Sequence, residues 1–183
     1  MPKRFDLPVA GPAGESSVLV GPGLLAEPPS DAVESLRGVT VFVVTSESLA
    51  PLLRTRLDPL LARARRVVDL ALTPDGEAAK SIAVAAELWE EMLARGGKRD
   101  SVLVTLGGGS TGDLGGFVAG CFLRGIDYLQ VPTTLLAQVD ASVGGKTAIN
   151  LEAGKNYVGR FHHPRYVLAD TSTLQTLPAR ELR

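Results

Sequence analysis

Along this chain, short β-branched apolar runs alternate with longer stretches whose apolar positions recur at helical spacing. Gly38 to Thr45, Arg66 to Leu70, Ser101 to Leu106, Tyr128 to Val131 and Tyr166 to Ala169 are each short and apolar enough to be buried strands. Between them, Ser46 or Ser48 is placed to cap a helix reaching about Arg65. The Ala-rich run Glu77 to Arg95 is amphipathic and ends at Gly96-Gly97. A third helix follows the glycines after Leu106 through about Leu123, and Pro132-Thr133-Thr134 opens a fourth. Phe5 to Val9 and Ser17 to Val20, with Gly and Pro between them, predict a hairpin at the edge of the domain. From Gly144 to Pro164 the chain reads as a polar loop, and Leu174 to Arg183 as the start of a last helix. The alternation predicts an α/β, Rossmann-like fold: a mostly parallel sheet with helices on both faces and ligands at the carboxyl ends of its strands.

Composition narrows the partners. With 183 residues, 45% of them hydrophobic, residues 1–183 read as a single domain with a full core. A net charge of −1 gives no basic field for nucleic acid, so a small molecule is the expected ligand. The single cysteine, Cys121, excludes an internal disulfide framework and fits a reducing compartment. The first residues lack the apolar core of a signal peptide and no apolar run reaches membrane-spanning length, so the expectation is a cytoplasmic protein without a membrane partner. Arg54, Arg56, Arg63 and Arg65 share no helical stripe and are expected to form a solvated face. Lysine is scarce, yet Lys80, Lys146 and Lys155 fall in glycine-containing or polar motifs, where a compact ammonium serves a purpose that a planar guanidinium does not.

The chemistry concentrates between Ser101 and Asn156. The buried strand ending at Leu106 breaks into Gly107-Gly108-Gly109-Ser110-Thr111-Gly112-Asp113. Glycines there are expected to reach φ > 0 and bring the backbone against a ligand. The following helix presents unpaired N–H groups, which suit a phosphate or pyrophosphate. Gly107, Gly109 and Gly112 satisfy G-x-G-x-x-G, but Asp127, at the distance where the ordinary dinucleotide fingerprint wants an acidic strand end, begins its strand instead. Gly145-Lys146-Thr147 resembles the end of a P-loop, but Asp140 stands where that motif needs glycine, so a P-loop nucleotidase is rejected. His162 and His163 are adjacent, and with one distant cysteine the chain assembles no three-ligand metal site; loop or core positions suit both histidines. Glu77 and Lys80, three apart at a helix start, make either a local ion pair or a pair of ligand contacts. Asp113, Arg124, Thr133, Thr134, Asp140, Lys146, Lys155 and Asn156 punctuate otherwise apolar or glycine-rich sequence, a density that caps and salt bridges explain singly but not together.

The run GGGSTGDLGGFVAGCFLRGIDYLQVPTTLLAQVDASVGGKTAINLEAGKN, followed by FHHP and TLPAREL, resembles the amino-terminal domain of the 3-dehydroquinate synthases, within the sugar-phosphate cyclases. Glycerol and iron-dependent alcohol dehydrogenases share the glycine turn, but VDASVGGKT is expected only on the synthase side. The resemblance implies a phosphorus-oxygen lyase of the shikimate pathway. That enzyme uses NAD to convert 3-deoxy-D-arabino-heptulosonate 7-phosphate to 3-dehydroquinate. By position, it implies cofactor contacts from Glu77, Lys80, Gly108, Gly109, Asp113, Thr133, Thr134, Thr176, Leu177 and Glu181, with Ser46 where the family commonly has an aspartate for the adenosine ribose. Lys146 and Asn156 would face substrate, Lys155 would lie between cofactor and substrate, and Asp140 would orient a substrate hydroxyl. Arg124 would reach the phosphate in a neighbouring subunit, which implies a homodimer. Zinc or another divalent metal belongs to the family's helical carboxyl-terminal domain. The expectation is that this domain and its ligands lie beyond Arg183 and that residues 1–183 alone are inactive. A related cyclase acting on another sugar phosphate, and a non-catalytic NAD-binding partner domain, are the alternatives.

Overall fold

The structure, a computed structural model, describes residues 4–11, 14–72 and 74–178. Strands β1 (Phe5–Gly11) and β2 (Gly14–Gly21) form the expected antiparallel hairpin. β3 (Thr40–Ser46), β4 (Arg66–Leu72), β5 (Val102–Gly107), β6 (Asp127–Pro132) and β9 (Tyr166–Asp170) join it in a seven-stranded sheet of order β1-β2-β9-β6-β5-β3-β4. Every pairing except β1 with β2 is parallel. The chain runs outward from β3 to β4 and then returns to place β5 on the other flank of β3, so the order reverses there. The crevice at the carboxyl ends of strands flanking such a reversal is where open α/β sheets bind ligands.

Strand periodicity of two divides the core. Phe42, Val44 and Leu103 face a layer made by α4 (Ile82–Ala94) and α5 (Gly109–Cys121). Val41, Val43, Val102 and Val104 face the opposite layer, made by α1 (Ser30–Glu34), α2 (Ala50–Leu53) and α3 (Asp58–Leu61). Helices therefore cover both faces, as the apolar runs predict.

Four local expectations need correction. The helix expected from Ser46 to Arg65 is broken into α2, a 3-10 turn Arg54–Leu57 and α3. Pro51 and Pro59 each sit in a first helical turn, where a residue without an N–H starts a helix but cannot continue one. Leu53, Leu57, Leu60 and Leu61 stay buried, so the apolar spacing serves packing although the helix is interrupted. Of the arginines expected on a solvated face, Arg56, Arg63 and Arg65 are exposed, whereas Arg54 is partly buried and pairs with Asp69 and Asp58. The second helix starts at Ile82 instead of Glu77. Gly76–Ala79 is a 3-10 turn, and Ser81 Oγ caps α4 by accepting from Val84 N–H at 3.2 Å. After β9 a 3-10 turn, Thr171–Thr176, replaces the helix expected from Leu174; the rest of that segment, 179–183, lies outside the described residues.

The largest correction is the stretch expected to be loop. β7 (Lys146–Leu151) and β8 (Gly154–Phe161) form an antiparallel hairpin outside the main sheet. Its inner strand packs on α5, with Ile149 in the core. β8 is exposed along nearly its whole length and so carries no apolar alternation for a pattern argument to detect.

Candidate functional site

The glycine turn joins β5 to α5 with Gly108 as N-cap. None of Gly107, Gly108, Gly109 or Gly112 has positive φ, contrary to expectation; the positive-φ glycines lie elsewhere. What excludes side chains here is proximity. A Cβ on Gly107 would lie 2.5 Å from Thr111 Oγ1, one on Gly108 3.2 Å from Thr134 Cγ2, and one on Gly112 2.9 Å from Gln130 Nε2. Farther along α5, a Cβ on Gly115 would overlap Thr105 Cγ2, and one on Gly116 would lie 2.5 Å from Thr147 Cγ2. The glycine face thus seats α5 directly on β5 and on the hairpin. The N-terminus of α5 has no side-chain cap, and its first inward backbone bond is Gly112 N–H to Gly108 O at 3.1 Å. The N–H groups of Gly109, Ser110 and Thr111 precede that bond and have no intrahelical acceptor. Together with the helix dipole, these donors fit a pyrophosphate at the sheet's carboxyl edge.

Beside this turn, a cleft of about 530 Å³ opens between α5, the π-helical turn Ala137–Ala141 and the β7–β8 hairpin. Asp113, Asp140, Lys146 and Asn156 line it, so four residues singled out from sequence converge in space. Lys80 joins them from the loop before α4. Only 4% exposed, it donates from Nζ to Asp113 Oδ2 at 2.7 Å and to Asn156 Oδ1 at 2.6 Å. Its distance to Glu77 is 4.0 Å, so the partners of Lys80 are distant in sequence and the local pair is the lesser contact. Burial pushes the Asp113 carboxyl above its ordinary range, and the Lys80 ammonium opposes that shift.

Glu77 collects the other half of the network. It accepts from Asn150 Nδ2 at 2.8 Å and from Ser110 Oγ at 2.8 Å, and Lys155 Nζ stands 3.7 Å away. The Asn150 hydrogen bond is the main cause of a lowered Glu77 pKa, with Ser110, Lys80 and Lys155 adding to it against partial burial. Asn150 also accepts from Asn156 N–H at 3.0 Å, where Asn156 holds φ 60. Ser110 and Asn150 were not singled out from sequence. Ser110 lies inside the quoted glycine motif, and Asn150 is a polar residue in what is now a strand; recognising the hairpin was the missing step. Arg160 is a third omission: it lines the cleft and donates to Gly120 O near the end of α5.

Of the remaining expected positions, Ser46, Thr133, Thr134, Thr176 and Leu177 lie at or after the carboxyl ends of β3, β6 and β9. Thr133 is buried beside the turn, its N–H donating to Gly107 O at 2.9 Å, and Thr134 Oγ1 accepts from Ala137 N–H at 3.3 Å. Ser46 ends β3, its Oγ accepting from Leu49 N–H. Thr176 and Leu177 follow β9, with Thr176 Oγ1 bonded to Thr173 O; neither lines the cleft. Glu181 lies outside the described residues. Arg124 does not join the cluster: exposed and at φ 72, it follows α5, whose 13 residues put it at the far end, about 20 Å from the turn. His162 stacks on Tyr128 with ring centroids 5.2 Å apart and its Nε2 is 2.9 Å from Ile126 O, while His163 Nδ1 lies 3.3 Å from Ser16 Oγ. Both histidines are half-buried in these contacts, and neither lines the cleft. Among the described residues no group of three His, Cys, Asp or Glu side chains is placed to hold a metal ion, so a metal site does not fit them.

Fold and cleft together define a Rossmann-like α/β domain with an uncapped helix N-terminus and a polar cleft at the carboxyl edge of its sheet. Residues 70–183 match the 3-dehydroquinate synthase N-terminal family, and the chain belongs to that family. It is 48% identical over 169 residues to the 3-dehydroquinate synthase of Xylella fastidiosa strain M23, an alignment covering 91% of this chain and 45% of that protein. Among solved structures it is similar to 2-deoxy-scyllo-inosose synthase complexed with carbaglucose-6-phosphate, NAD+ and Co2+. The TM-score is 0.88 at 28% identity, over 97% of this chain and 48% of that one. It is also similar to 2-epi-5-epi-valiolone synthase from Streptomyces hygroscopicus subsp. jinggangensis with NAD+ and Zn2+ bound, with a TM-score of 0.77 at 29% identity over 94% of this chain and 48% of that one. The chain spans about half the length of these relatives.

Proposed function

We propose that residues 1–183 form a single NAD-binding domain of a 3-dehydroquinate synthase. The whole enzyme is then a lyase acting on 3-deoxy-D-arabino-heptulosonate 7-phosphate in the cytoplasm, within the shikimate pathway. The observation that carries this reading is the convergence of Asp113, Asp140, Lys146 and Asn156 on one cleft beside an uncapped glycine turn. Identity of 48% to a synthase, against 28% and 29% to the two other cyclases, favours this substrate over another sugar phosphate.

In this reading the free amides of Gly109, Ser110 and Thr111 hold the pyrophosphate. Gly108, Thr133 and Thr134 shape the turn around it, and Ser46, Thr176 and Leu177 border the cofactor along the sheet edge. Glu77, Lys80 and Asp113 set the charge beside it. Bound NAD supplies reversible hydride acceptance, which acidifies a neighbouring C–H and makes phosphate elimination feasible. Asp140 orients a substrate hydroxyl, Lys146 and Asn156 bind the phosphorylated substrate, and Lys155 spans cofactor and substrate. Arg124, remote from its own cleft, acts on that of a second subunit in a homodimer. The divalent metal is held by the part of the enzyme that this chain does not cover, so the chain alone is expected to show no turnover.

Calorimetric titration of the purified chain with NAD tests the reading. Saturable binding, weakened by Asp113→Asn and by Lys155→Ala, supports it. No heat of binding at millimolar NAD would sink it for this chain.

A further inference from the structure

We infer that Asn150 is a positioning residue whose single amide locks the cofactor-side carboxylate of Glu77 to the turn that carries Lys155 and Asn156. The inference rests on the cofactor reading above and extends it to a residue with no assigned part.

Three bonds converge on Asn150. Its Nδ2 donates to Glu77 Oε1 at 2.8 Å, its Oδ1 accepts from Asn156 N–H at 3.0 Å, and its backbone N–H donates to Lys80 O at 2.7 Å. The last bond lies where the β7–β8 register shifts between Ile149 and Leu151. That irregularity turns the Asn150 backbone out of the hairpin ladder and into a parallel bridge with Ser81. Bulges commonly re-aim a side chain in this way. The amide orientation is fixed by its neighbours: a carboxylate demands a donor and an N–H demands an acceptor, so only one flip of the side chain satisfies both. Asn156 needs such a tether. Its φ of 60 is a left-handed conformation that costs a non-glycine residue energy, and from it Asn156 Oδ1 reaches Lys80 Nζ. Asn150 thus closes a ring running through Glu77, Lys80 and Asn156, joining the loop before α4 to the hairpin beside the cleft that Asn156 lines.

Two substitutions separate the two ends of the amide. Asn150→Ala removes both side-chain bonds, whereas Asn150→Asp keeps an acceptor for Asn156 N–H but sets a second carboxylate against Glu77. The readouts are amide hydrogen exchange at Asn156 by NMR and NAD affinity by calorimetry, with thermal unfolding as the control for folding. Asn156 N–H is expected to be protected in the wild-type chain and in Asn150→Asp, and to approach its intrinsic exchange rate in Asn150→Ala. NAD dissociation constants are expected to rise roughly tenfold in both variants, the scale of one lost hydrogen bond to a charged group. Unchanged Asn156 protection in Asn150→Ala would overturn the tether, and unchanged NAD affinity in variants that retain their melting temperature would overturn the positioning role. If Asn150→Ala fails to fold, Asn150→Asp carries the same affinity test. A wild-type chain that binds no NAD would defeat the cofactor reading alone, because the exchange pattern still decides the tether.

Discussion

The two walls of the cleft are built on opposite principles. One wall, α5 beside the glycine turn, is held by contact: the sheet beneath it is buried and helix glycines meet threonine methyl groups with no room for a Cβ. The other wall, the β7–β8 hairpin, is mostly exposed and is held by a polar ring through Glu77, Lys80, Asn150 and Asn156. A close-packed wall fixes a backbone surface for a ligand to touch. A polar wall fixes the direction of charges. Substitutions that strike each wall should therefore fail in different ways.

The largest effect is expected where packing has no slack. Gly115→Val places a branched side chain against Thr105 on a central strand and should destabilise the chain by at least about 3 kcal/mol, at the upper end of core overpacking. Chemical denaturation measures this, and a variant that unfolds within about 1 kcal/mol of wild type would mean that α5 lifts off β5 readily, removing the contrast between the walls.

Lys80 tests the join. Replacing it with methionine keeps most of the volume but leaves Asp113 and Asn156 without their shared donor. Breaking a buried pair costs more than this site should, because the Asp113 side chain retains 23% exposure and can take up water; about 2 kcal/mol is expected, together with loss of NAD affinity. The charge linkage gives a second readout. The Asp113 pKa is raised in the fold, so the folded state keeps a proton that the unfolded chain has released, and stability falls as pH rises between the two values. Lysine opposes that shift, so Lys80→Met should deepen the fall, and a pH profile of stability identical to wild type would contradict the pairing.

These contrasts also explain what could be read from the sequence. The centre of the main sheet was legible because β3, β5 and β6 are buried on both faces and appear as short apolar runs rich in β-branched residues, Thr40 to Thr45 most clearly. The cleft was legible in part, because the charged Asp113, Asp140 and Lys146 and the polar Asn156 interrupt glycine-rich or apolar sequence. The hairpin was not: β8 has water on nearly all its residues, so nothing in its pattern distinguishes it from a loop. Asn150 was missed for the same reason, since an asparagine has no evident task until the strand that aims it is known. The turn glycines stand out in the sequence for a different physical reason, a positive φ, when what they answer to is the distance to Thr111, Thr134 and Gln130.

Within the polar wall, backbone strain and hydrogen bonding can be separated at Asn156. Asn156→Ala leaves a left-handed residue without asparagine's tolerance for that conformation and removes the acceptor for Lys80, at a cost of about 1 kcal/mol. Asn156→Gly relieves the backbone part but not the missing acceptor. Thermal melting should therefore favour the glycine variant while calorimetry finds NAD affinity reduced in both; equal melting temperatures would show that the turn carries no conformational cost.

The smallest effect is expected at His162, where the hairpin meets the core. Its ring stacks on Tyr128, whose hydroxyl donates to His162 O at 2.9 Å, so the imidazole is packed where charge is poorly solvated. Burial lowers its pKa, partly offset by the bond to Ile126 O. With the folded value depressed, the unfolded chain binds a proton first as pH falls, so stability is fully present above about 6.5 and declines as pH drops towards the folded value. His162→Phe keeps the stack and abolishes that titration. The variant should lose some stability at pH 8 with the bond to Ile126, yet show a smaller drop in melting temperature between pH 8 and pH 5.5, a difference worth less than about 1 kcal/mol. An equal drop in both proteins would place the acid sensitivity elsewhere. A reduced drop would show that the exposed wall, held mainly by hydrogen bonds, is also anchored at its base by one half-buried ring that must stay neutral.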